Sequence, residues 1–382
     1  MAASGLPYAF NPKPFTFIFK DMNEDFLHKK ITARKELNAW RQLRPRTSAV
    51  DFCSNDYLGI VKNNLLHTPG RQYQTGSTGS RLLAGNYELI EETETAIAAF
   101  HDVPAALIFN SGYDANTGLL SCVPQRGDTV LYDYLSHASI RDGLRLGLAQ
   151  SFSFLHNDLQ DLAKKLALAK GNVFVVTESV FSMDGDMAPL KEIAALCLQY
   201  NAYLIVDEAH ATGVTGSAGG GVVQQLGLQQ QCFARVHTFG KALGCHGAVV
   251  LGSHLLRDYL VNFSRSFIYT TALPPAAVAT IATAYRLFPL MHSERLHLQT
   301  LVNAFQSASI RFTKMHSLTP IQSVIIPGNG EVKAAADLCQ QHNFDVRAIL
   351  YPTVPKESER LRVVLHSFNT LEELNGLIRM LA

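Results

Sequence analysis

Short apolar runs alternate with amphipathic stretches over residues 105–251, and this alternation is the main structural signal in the chain. The apolar runs lie at 105–109, 129–132, 152–155, 173–176, 203–206, 234–238 and 248–251. Stretches with helical spacing lie between several of them, near 114–123, 158–169 and 188–200. Short apolar strands separated by amphipathic helices favour an α/β fold with a mostly parallel sheet covered by helices on both faces. We expect the last run to be antiparallel.

The pattern differs at both ends of this region. Upstream, it predicts a helix over 23–44 that Asn23 caps, and another over 86–101. Downstream, it predicts a long helix over 277–309, strands at 321–326, 346–349 and 362–365, and helices over 331–342 and 370–381. We therefore predict an N-terminal helical segment (1–50), a large domain (51–285) and a smaller C-terminal α+β domain (286–382).

Composition indicates a globular protein. The 382 residues are 47% hydrophobic and 17% charged, and the net charge of +1 gives no broad field that attracts nucleic acid or an anionic membrane. The six cysteines form no Cys-x-x-Cys motif and indicate reduced thiols in a cytoplasmic protein. The apolar run 15–19 is too short for a signal peptide, and the uncharged stretch 266–285 contains Pro274-Pro275, so we predict neither secretion nor a membrane span.

A lysine among small residues is the first candidate for chemistry. Lys241 directly follows Phe239-Gly240, just beyond the apolar run 234–238. A lone lysine is usually a solvated charge. However, Asp207 follows another apolar run, and Glu178 and Ser182 follow a third. Because ligands of open parallel sheets bind beyond the carboxyl ends of the strands, we expect these groups to share one site, where a buried amine of lowered pKa can form a Schiff base.

Each supporting group also has a plain structural interpretation. Asp207 and His210 could form a surface pair, although a carboxylate directly after four apolar residues needs a partner, such as a pyridinium N–H. Ser111-Gly112-Tyr113 could offer N–H groups to a phosphate or simply cap a helix. His137 could stack on a flat ring or be an ordinary loop histidine. Together these residues favour an aldehyde cofactor with a phosphate tail, and no metal site is predicted.

Seven motifs follow one another in a fixed order from about residue 50 to the end of the chain. They are Ser54-Asn55-Asp56-Tyr57-Leu58-Gly59, Ser111-Gly112-Tyr113, Leu135-Ser136-His137-Ala138-Ser139, Phe181-Ser182-Met183-Asp184-Gly185-Asp186, Val206-Asp207-Glu208-Ala209-His210-Ala211-Thr212-Gly213, Thr238-Phe239-Gly240-Lys241, and Pro352-Thr353-Val354-Pro355 with Arg360-Leu361-Arg362. In this order they resemble the α-oxoamine synthase family of fold-type I pyridoxal-phosphate enzymes. The resemblance implies that fold and pyridoxal 5′-phosphate as the cofactor.

The resemblance also implies roles for catalytic residues. Lys241 would hold the cofactor aldehyde and later transfer protons. Asp207 would pair with the pyridine nitrogen and His137 would stack on the ring. Ser182 and His210 would lie near the phenolic oxygen of the cofactor.

The remaining implied roles concern the phosphate and the substrate. Ser111, Gly112, Tyr113 and Thr238 would surround the phosphate. Thr270-Thr271 resembles a segment that reaches the cofactor phosphate of a neighbouring subunit, which implies a homodimer with its active site at the interface. Asn55 and Arg362 would bind the substrate. Arg360 remains an alternative for its carboxylate, because residues two apart on a strand point the same way.

The implied reaction condenses L-alanine with a pimeloyl thioester, carried by coenzyme A or acyl carrier protein, to give 8-amino-7-oxononanoate for biotin biosynthesis. The stretch from His237 to Lys241 resembles this branch, whereas glycine-using members tend to have Thr-Leu-Gly-Lys. The alternative within the family is a glycine C-acetyltransferase or an enzyme for another acyl chain. Outside it, a non-catalytic partner subunit is disfavoured by Lys241, Asp207 and His137, and a nucleotide-binding oxidoreductase by the missing Gly-x-Gly-x-x-Gly.

Overall fold

The computed structural model describes residues 23–45, 47–66 and 72–382, and the apolar run 15–19 lies outside these ranges. The chain divides into a short N-terminal unit that ends at Pro45 and a second unit that holds everything after it. A boundary near residue 285 between a large and a small domain stays a prediction.

The α-helices of the described ranges, in chain order, have the following bounds. They are α1 (Asp25–Glu36), α2 (Glu88–Phe100), α3 (Gly112–Cys122), α4 (Ala138–Leu146), α5 (Leu159–Leu166), α6 (Leu190–Gln199), α7 (Val222–Gln225), α8 (His254–Phe263), α9 (Arg265–Ile268), α10 (Pro275–Leu287), α11 (His292–Ser307), α12 (Asn329–Gln341) and α13 (Leu371–Leu381). None of these helices combines the length and the apolar character needed to cross a bilayer.

The strands of the same ranges form three sheets. They are β1 (Val50–Asp51), β2 (Ala105–Phe109), β3 (Thr129–Asp133), β4 (Gln150–Phe154), β5 (Val173–Glu178), β6 (Tyr203–Asp207), β7 (Cys232–Thr238), β8 (Ala248–Gly252), β9 (Thr313–Lys314), β10 (Ile321–Ile325), β11 (Phe344–Asp345), β12 (Arg347–Ile349) and β13 (Arg360–Val364).

The large sheet has seven strands in the order β2-β8-β7-β6-β5-β3-β4. Only β8 runs antiparallel to its neighbours, as expected from the sequence. Alternate side chains face opposite sides of a strand. In β5, Val173 and Val175 accordingly join one hydrophobic core, and Phe174 and Val176 join the other. The sheet is therefore covered on both faces, and the carboxyl ends of β2, β3, β5, β6 and β7 share one edge.

Two smaller sheets complete the second unit. One is antiparallel, in the order β12-β13-β10-β9, and the other pairs β1 with β11 in parallel. In the antiparallel sheet, Arg347 lies directly opposite Arg362. The predicted α+β character of the C-terminal region is present, and the sheet brings its residues toward the edge where the strands of the large sheet end.

Two predicted helices were too long. The helix predicted over 23–44 ends at Glu36, and Asn38 has a positive φ of 51°, which stops the helical hydrogen bonds. Its N-cap is Glu24 and not the predicted Asn23, although Asn23 accepts a hydrogen bond from the Asp25 N–H at 2.9 Å. The helix predicted over 277–309 is two helices, α10 and α11, separated by a 3-10 turn at Phe288–Leu290. Pro289 in that turn has no N–H to donate, so the α-helix cannot continue through it.

Candidate active site

A cavity of about 340 Å³ lies where the strands of the large sheet end and the C-terminal sheet approaches them. It is lined by Cys53, Asn55, His137, Ser182, Met183, His210, Lys241, Arg347, Ile349 and Arg362. Six of these ten residues were predicted as site residues from the sequence, and they come from widely separated parts of the chain. The fold therefore brings together groups that the motif pattern had assigned to one site.

Lys241 is joined to a line of hydrogen-bonding side chains. Its Nζ lies 2.8 Å from His210 Nε2, and His210 Nδ1 lies 2.7 Å from the hydroxyl of Tyr57. That hydroxyl donates to Asn55 Oδ1 at 3.2 Å, and the same oxygen accepts from Arg362 NH2 at 3.1 Å. The line thus connects the lysine amine with a guanidinium across the cavity wall.

Burial sets the protonation states of Lys241, His210 and Tyr57. It lowers the pKa of Lys241 to about 8, against the opposing effect of the Asp207 charge. It also holds the pKa of His210 well below its usual range, and the positive charge of Lys241 adds to this effect. The Tyr57 hydroxyl has a pKa raised to about 12 by burial and stays protonated. A neutral His210 accepts from Lys241 at Nε2 and donates from Nδ1 to Tyr57.

Asp207 ends strand β6, and its carboxylate is buried. One oxygen accepts from Asn116 Nδ2 at 2.7 Å, and the other accepts from the Ala209 N–H at 2.9 Å. Each carboxylate oxygen has two lone pairs. The group is therefore oriented by the protein and keeps acceptor capacity for a further donor.

His137 is the N-cap of helix α4, an element that the sequence patterns did not reveal. Its Nδ1 accepts from the Ser139 N–H at 3.2 Å, so the ring proton of the neutral imidazole lies on Nε2. Its backbone N–H donates to Glu178 Oε1 at 2.7 Å. Burial lowers the pKa of His137. Burial, and then the charge of Asp207, raises the pKa of Glu178 to about 8.

The N-terminus of helix α3 lies beside Thr238. The Ser111 side chain caps this helix by accepting from the Asp114 N–H at 3.0 Å. A Cβ placed on Gly112 would lie 3.5 Å from both Cβ and Oγ1 of Thr238. The cap interpretation of Ser111 is therefore correct. It is compatible with anion binding, because the first N–H groups of a helix have no intrahelical acceptor.

Seven of the thirteen predicted site residues do not line this cavity: Ser111, Gly112, Tyr113, Asp207, Thr238, Thr270 and Thr271. The Tyr113 side chain is half exposed and donates to Asp142 at 2.6 Å. Asn110 donates to Thr270 Oγ1 at 2.9 Å and to the Thr271 carbonyl at 2.8 Å. The structure thus groups both threonines with the residue before Ser111, rather than with Lys241.

The two candidate arginines of β13 have different partners. Arg362 lines the cavity and donates to the Ser182 carbonyl at 2.7 Å and to Asn55. Arg360 forms a buried ion pair with Asp184 and also donates to the Ser358 carbonyl. Alternation along the strand could not tell which arginine faces the site. Their contacts do, because of these two arginines only Arg362 lines the cavity.

Sequence reasoning missed three residues that hold the predicted ones. Tyr57 orients His210, Asn116 orients Asp207, and Glu178 holds the backbone of His137. Tyr57 stands within the quoted motif Ser54–Gly59, and Glu178 was noted at the end of its strand. Asn116 lies inside helix α3, where no local pattern marks it.

The chain belongs to the aminotransferase class I and II family, whose model matches residues 47–378. Members of this family are pyridoxal-phosphate enzymes, and the predictions of the fold and of the cofactor are confirmed.

Relatives extend over almost the whole chain. An 8-amino-7-oxononanoate synthase of Emericella nidulans is 43% identical over 94% of this chain and 95% of its own. One of Marinobacter nauticus is 38% identical over 93% of this chain and 95% of its own. The predicted resemblance to the α-oxoamine synthases is confirmed by these relatives.

Solved structures agree with this placement. A serine palmitoyltransferase from S. paucimobilis, solved with PLP and myriocin bound, has a TM-score of 0.83 at 27% identity and covers 94% of this chain and 96% of its own. The 8-amino-7-oxononanoate synthase of Francisella tularensis has a TM-score of 0.73 at 28% identity, with 87% and 97% covered.

The donor set of the cavity, together with the neighbouring strand and helix ends, fits pyridoxal 5′-phosphate. An amine of lowered pKa suits its aldehyde, an oriented carboxylate suits its ring nitrogen, and a helix N-terminus suits its phosphate. Lys241, Asp207 and the Ser111–Gly112 turn provide these three groups.

Proposed function

We propose that this protein catalyses the decarboxylative condensation of L-alanine with a pimeloyl thioester. The products are 8-amino-7-oxononanoate, carbon dioxide and the free thiol of the carrier, which is coenzyme A or acyl carrier protein. The names of the relatives support this choice of substrates. The observation that carries the proposal is one cavity that contains both the Lys241 amine and the Arg362 guanidinium, as an amino acid substrate requires.

The cofactor would be held by residues described above. Lys241 would bind its aldehyde, Asp207 its ring nitrogen and His137 its ring. Ser182 and His210 would lie near its phenolic oxygen. The phosphate would bind at Ser111, Gly112, Tyr113 and Thr238.

The chemistry that the cofactor supplies is withdrawal of electrons from the α-carbon of the bound amino acid. Arg362 would hold the amino acid carboxylate with a bidentate pair of hydrogen bonds, and Asn55 keeps that guanidinium in place. Lys241 would take the α-proton, since burial lowers the pKa of its amine, to about 8 in the cofactor-free protein, toward the range that suits a base near neutral pH. Neutral His210 accepts from this amine and keeps it directed.

The proposed assembly is a homodimer with the active site at the subunit interface. Thr270 and Thr271 would reach the cofactor phosphate of the partner subunit. Thr271 is exposed in the single chain, which supports this assignment. Light scattering on the purified protein would give the mass of the assembly, and a monomer at assay concentration would contradict this part of the proposal.

The reaction is tested by a competition assay read by mass spectrometry. The protein with added pyridoxal phosphate receives equal L-alanine, glycine and L-serine. The acyl donors are pimeloyl, acetyl and palmitoyl thioesters, each on coenzyme A and on acyl carrier protein. We expect a product of alanine plus pimeloyl minus carbon dioxide, and the carrier consumed identifies the donor.

Other outcomes of this assay would contradict the proposal. A glycine–acetyl product would make the protein a glycine C-acetyltransferase, and a serine–palmitoyl product would place it with the serine palmitoyltransferases. A protein that binds no pyridoxal phosphate would instead favour a non-catalytic subunit.

A further inference from the structure

A second guanidinium, that of Arg347, lies beside Arg362 at the cavity, and no step of the proposed reaction involves it. Arg347 and Arg362 are directly opposed on the neighbouring strands β12 and β13, and both line the cavity. Side chains opposed in this way lie on one face of the sheet, with Cβ atoms about 4.5–5.5 Å apart. The two guanidiniums therefore serve one cavity from adjacent positions.

The two arginines differ in depth. Arg362 is buried, whereas the side chain of Arg347 is 38% exposed. Arg362 binds a backbone carbonyl and an amide oxygen at the inner wall. Arg347 therefore lies nearer the mouth of the cavity, on the path to solvent.

The partners of Arg347 leave most of its donors unused. Its NH2 group contacts Asp345 Oδ2 at 3.0 Å, and the guanidinium lies within hydrogen-bonding reach of the Cys53 thiol. Cys53 itself donates to the same carboxylate oxygen at 3.3 Å. A guanidinium has five N–H donors in a planar fork, so Arg347 can bind another carboxylate.

The cavity has a surplus of positive charge. Within the described chain, the residues that line it include three cationic side chains, Lys241, Arg347 and Arg362, and no carboxylate. The charge of Asp207 acts on Lys241 and Asp345 contacts Arg347, but the hydrogen-bond acceptors of Arg362 are neutral. Opposed like charges destabilise a sheet, so this arrangement suits a cavity that receives carboxylates.

The cavity that the two arginines line also has apolar side chains in its lining. Ile349 is two residues after Arg347 on β12 and therefore points to the same face. Ile349 and Met183 both line the cavity. A methylene chain can pack on these side chains while a carboxylate at its end reaches the exposed guanidinium.

We propose that Arg347 binds the terminal carboxylate of the acyl donor and so selects a dicarboxylic acyl group over a simple fatty acyl group. This inference rests on the proposed function, since a pimeloyl thioester ends in such a carboxylate. Arg362 binds the amino acid carboxylate, which leaves as carbon dioxide, and Arg347 binds the carboxylate that the product keeps.

The kinetic test compares donors that differ only at the far end of the chain. Holoenzyme with saturating L-alanine receives a pimeloyl or a heptanoyl thioester on the same carrier. Arg347→Gln should lower kcat/KM for the pimeloyl donor about tenfold, the size of a charge-assisted hydrogen bond at a half-exposed site. The heptanoyl value and the KM of alanine should change less than about twofold, and Arg347→Lys should retain part of the selectivity.

A binding test separates this inference from the reaction itself. The probes are S-(6-carboxyhexyl)pantetheine and S-heptylpantetheine, unreactive thioethers that carry the arm common to both carriers. Calorimetry on the holoenzyme should show that the native protein prefers the carboxylated probe and that Arg347→Gln removes this preference. Arg379→Gln, which removes an exposed cation of the same C-terminal region, is the matched control and should retain it.

The other possible outcomes contradict either the role proposed for Arg347 or the proposed function. Equal loss for both donors, or a raised KM for alanine, overturns it, because Arg347 would then act on the carrier, the fold or the amino acid. If the native protein does not turn over pimeloyl thioesters, the proposed function fails. In that case the binding test alone decides the role of Arg347: a preference for the carboxylated probe that Arg347→Gln removes supports it, and the absence of such a preference contradicts it.

Discussion

The two sides of the cavity are built differently. On the side of the large sheet, Asp207, His137 and His210 are each fixed by a further side chain, Asn116, Ser139 and Tyr57 respectively. On the side of the C-terminal sheet, Arg347 is partly exposed and has one carboxylate partner. A fully bonded set of side chains keeps one geometry, whereas donors with spare capacity can bind a ligand. The first side therefore suits the reaction common to the family, and the second suits the choice of substrate.

The strongest test of this comparison removes the amine of the first side. Lys241→Ala should lower multiple-turnover activity by at least about 10³-fold, since it removes the proposed base and the anchor of the cofactor. Product formation by mass spectrometry is the measurement. Lys191→Ala, at an exposed lysine of α6, is the control and should leave the rate unchanged. Normal turnover by Lys241→Ala would mean that another group performs the reaction.

The next effect concerns the charge at the end of β6. Asp207→Asn keeps the shape of the side chain but removes the charge that would hold the ring nitrogen protonated, so kcat should fall about 10²–10³-fold. Asn116→Leu keeps the charge but removes the hydrogen bonds from Asn116 to Asp207 and to Ser139, and it should cost less. Steady-state kinetics of both variants checks this order. Equal losses would show that orientation of the carboxylate matters as much as its charge.

Substitutions of the two arginines of β13 test which of them binds substrate on the side of the C-terminal sheet. Arg362→Gln should raise the KM of alanine about 10–100-fold, because a charge-assisted bidentate contact is lost, and should lower the melting temperature less than Arg360→Gln does. Arg360→Gln should instead leave the buried Asp184 unpaired and cost about 3–5 kcal/mol of stability. Kinetics and thermal unfolding measured on both variants separate the two roles. The opposite assignment would hold if Arg360→Gln raised the KM and Arg362→Gln unfolded first.

The smallest effect is the pH dependence of cofactor uptake. Only a neutral amine attacks an aldehyde, and the pKa of Lys241 in the cofactor-free protein is about 8. The uptake rate should therefore rise about tenfold per pH unit below 8 and level off above it, whereas an ordinary lysine would continue to gain up to about pH 10. Stopped-flow absorbance gives the rate, and Nα-acetyl-lysine in solution is the reference amine. A rate ratio to this reference that is constant with pH would contradict a lowered pKa.

Local patterns predicted the part of the fold that depends on residues close together in the sequence. The buried runs became strands β2, β3 and β5 to β8 because apolar side chains on both faces suit a covered sheet, whereas the edge strand β4 is exposed at three of its five residues. The break at Pro289 was missed because the apolar spacing continues on both sides of it. Helix α4 was missed because it is only nine residues long and buries just two large apolar side chains, Ile140 and Leu144.

Candidate site residues could be placed best from the sequence where they end or follow a strand. Asp207 could be found in this way, and so could the position of Lys241 beyond β7. Tyr57 and Asn116 could not be assigned, because their partners His210 and Asp207 are distant in sequence and meet them only in the fold. Arg347 was seen as part of a strand, but its place opposite Arg362 depends on strand register, which the pattern does not fix.

Strand β1, near the start of the second unit, pairs with β11, and the contact from Cys53 to Asp345 spans 292 residues. A ribosome adds about 5–20 residues per second. A newly made Cys53 therefore waits about 15–60 s before Asp345 has been synthesised. The large sheet can form during this time, but the wall of the cavity formed by β12 and β13 cannot. During synthesis, the nascent chain therefore completes this wall of the cavity last.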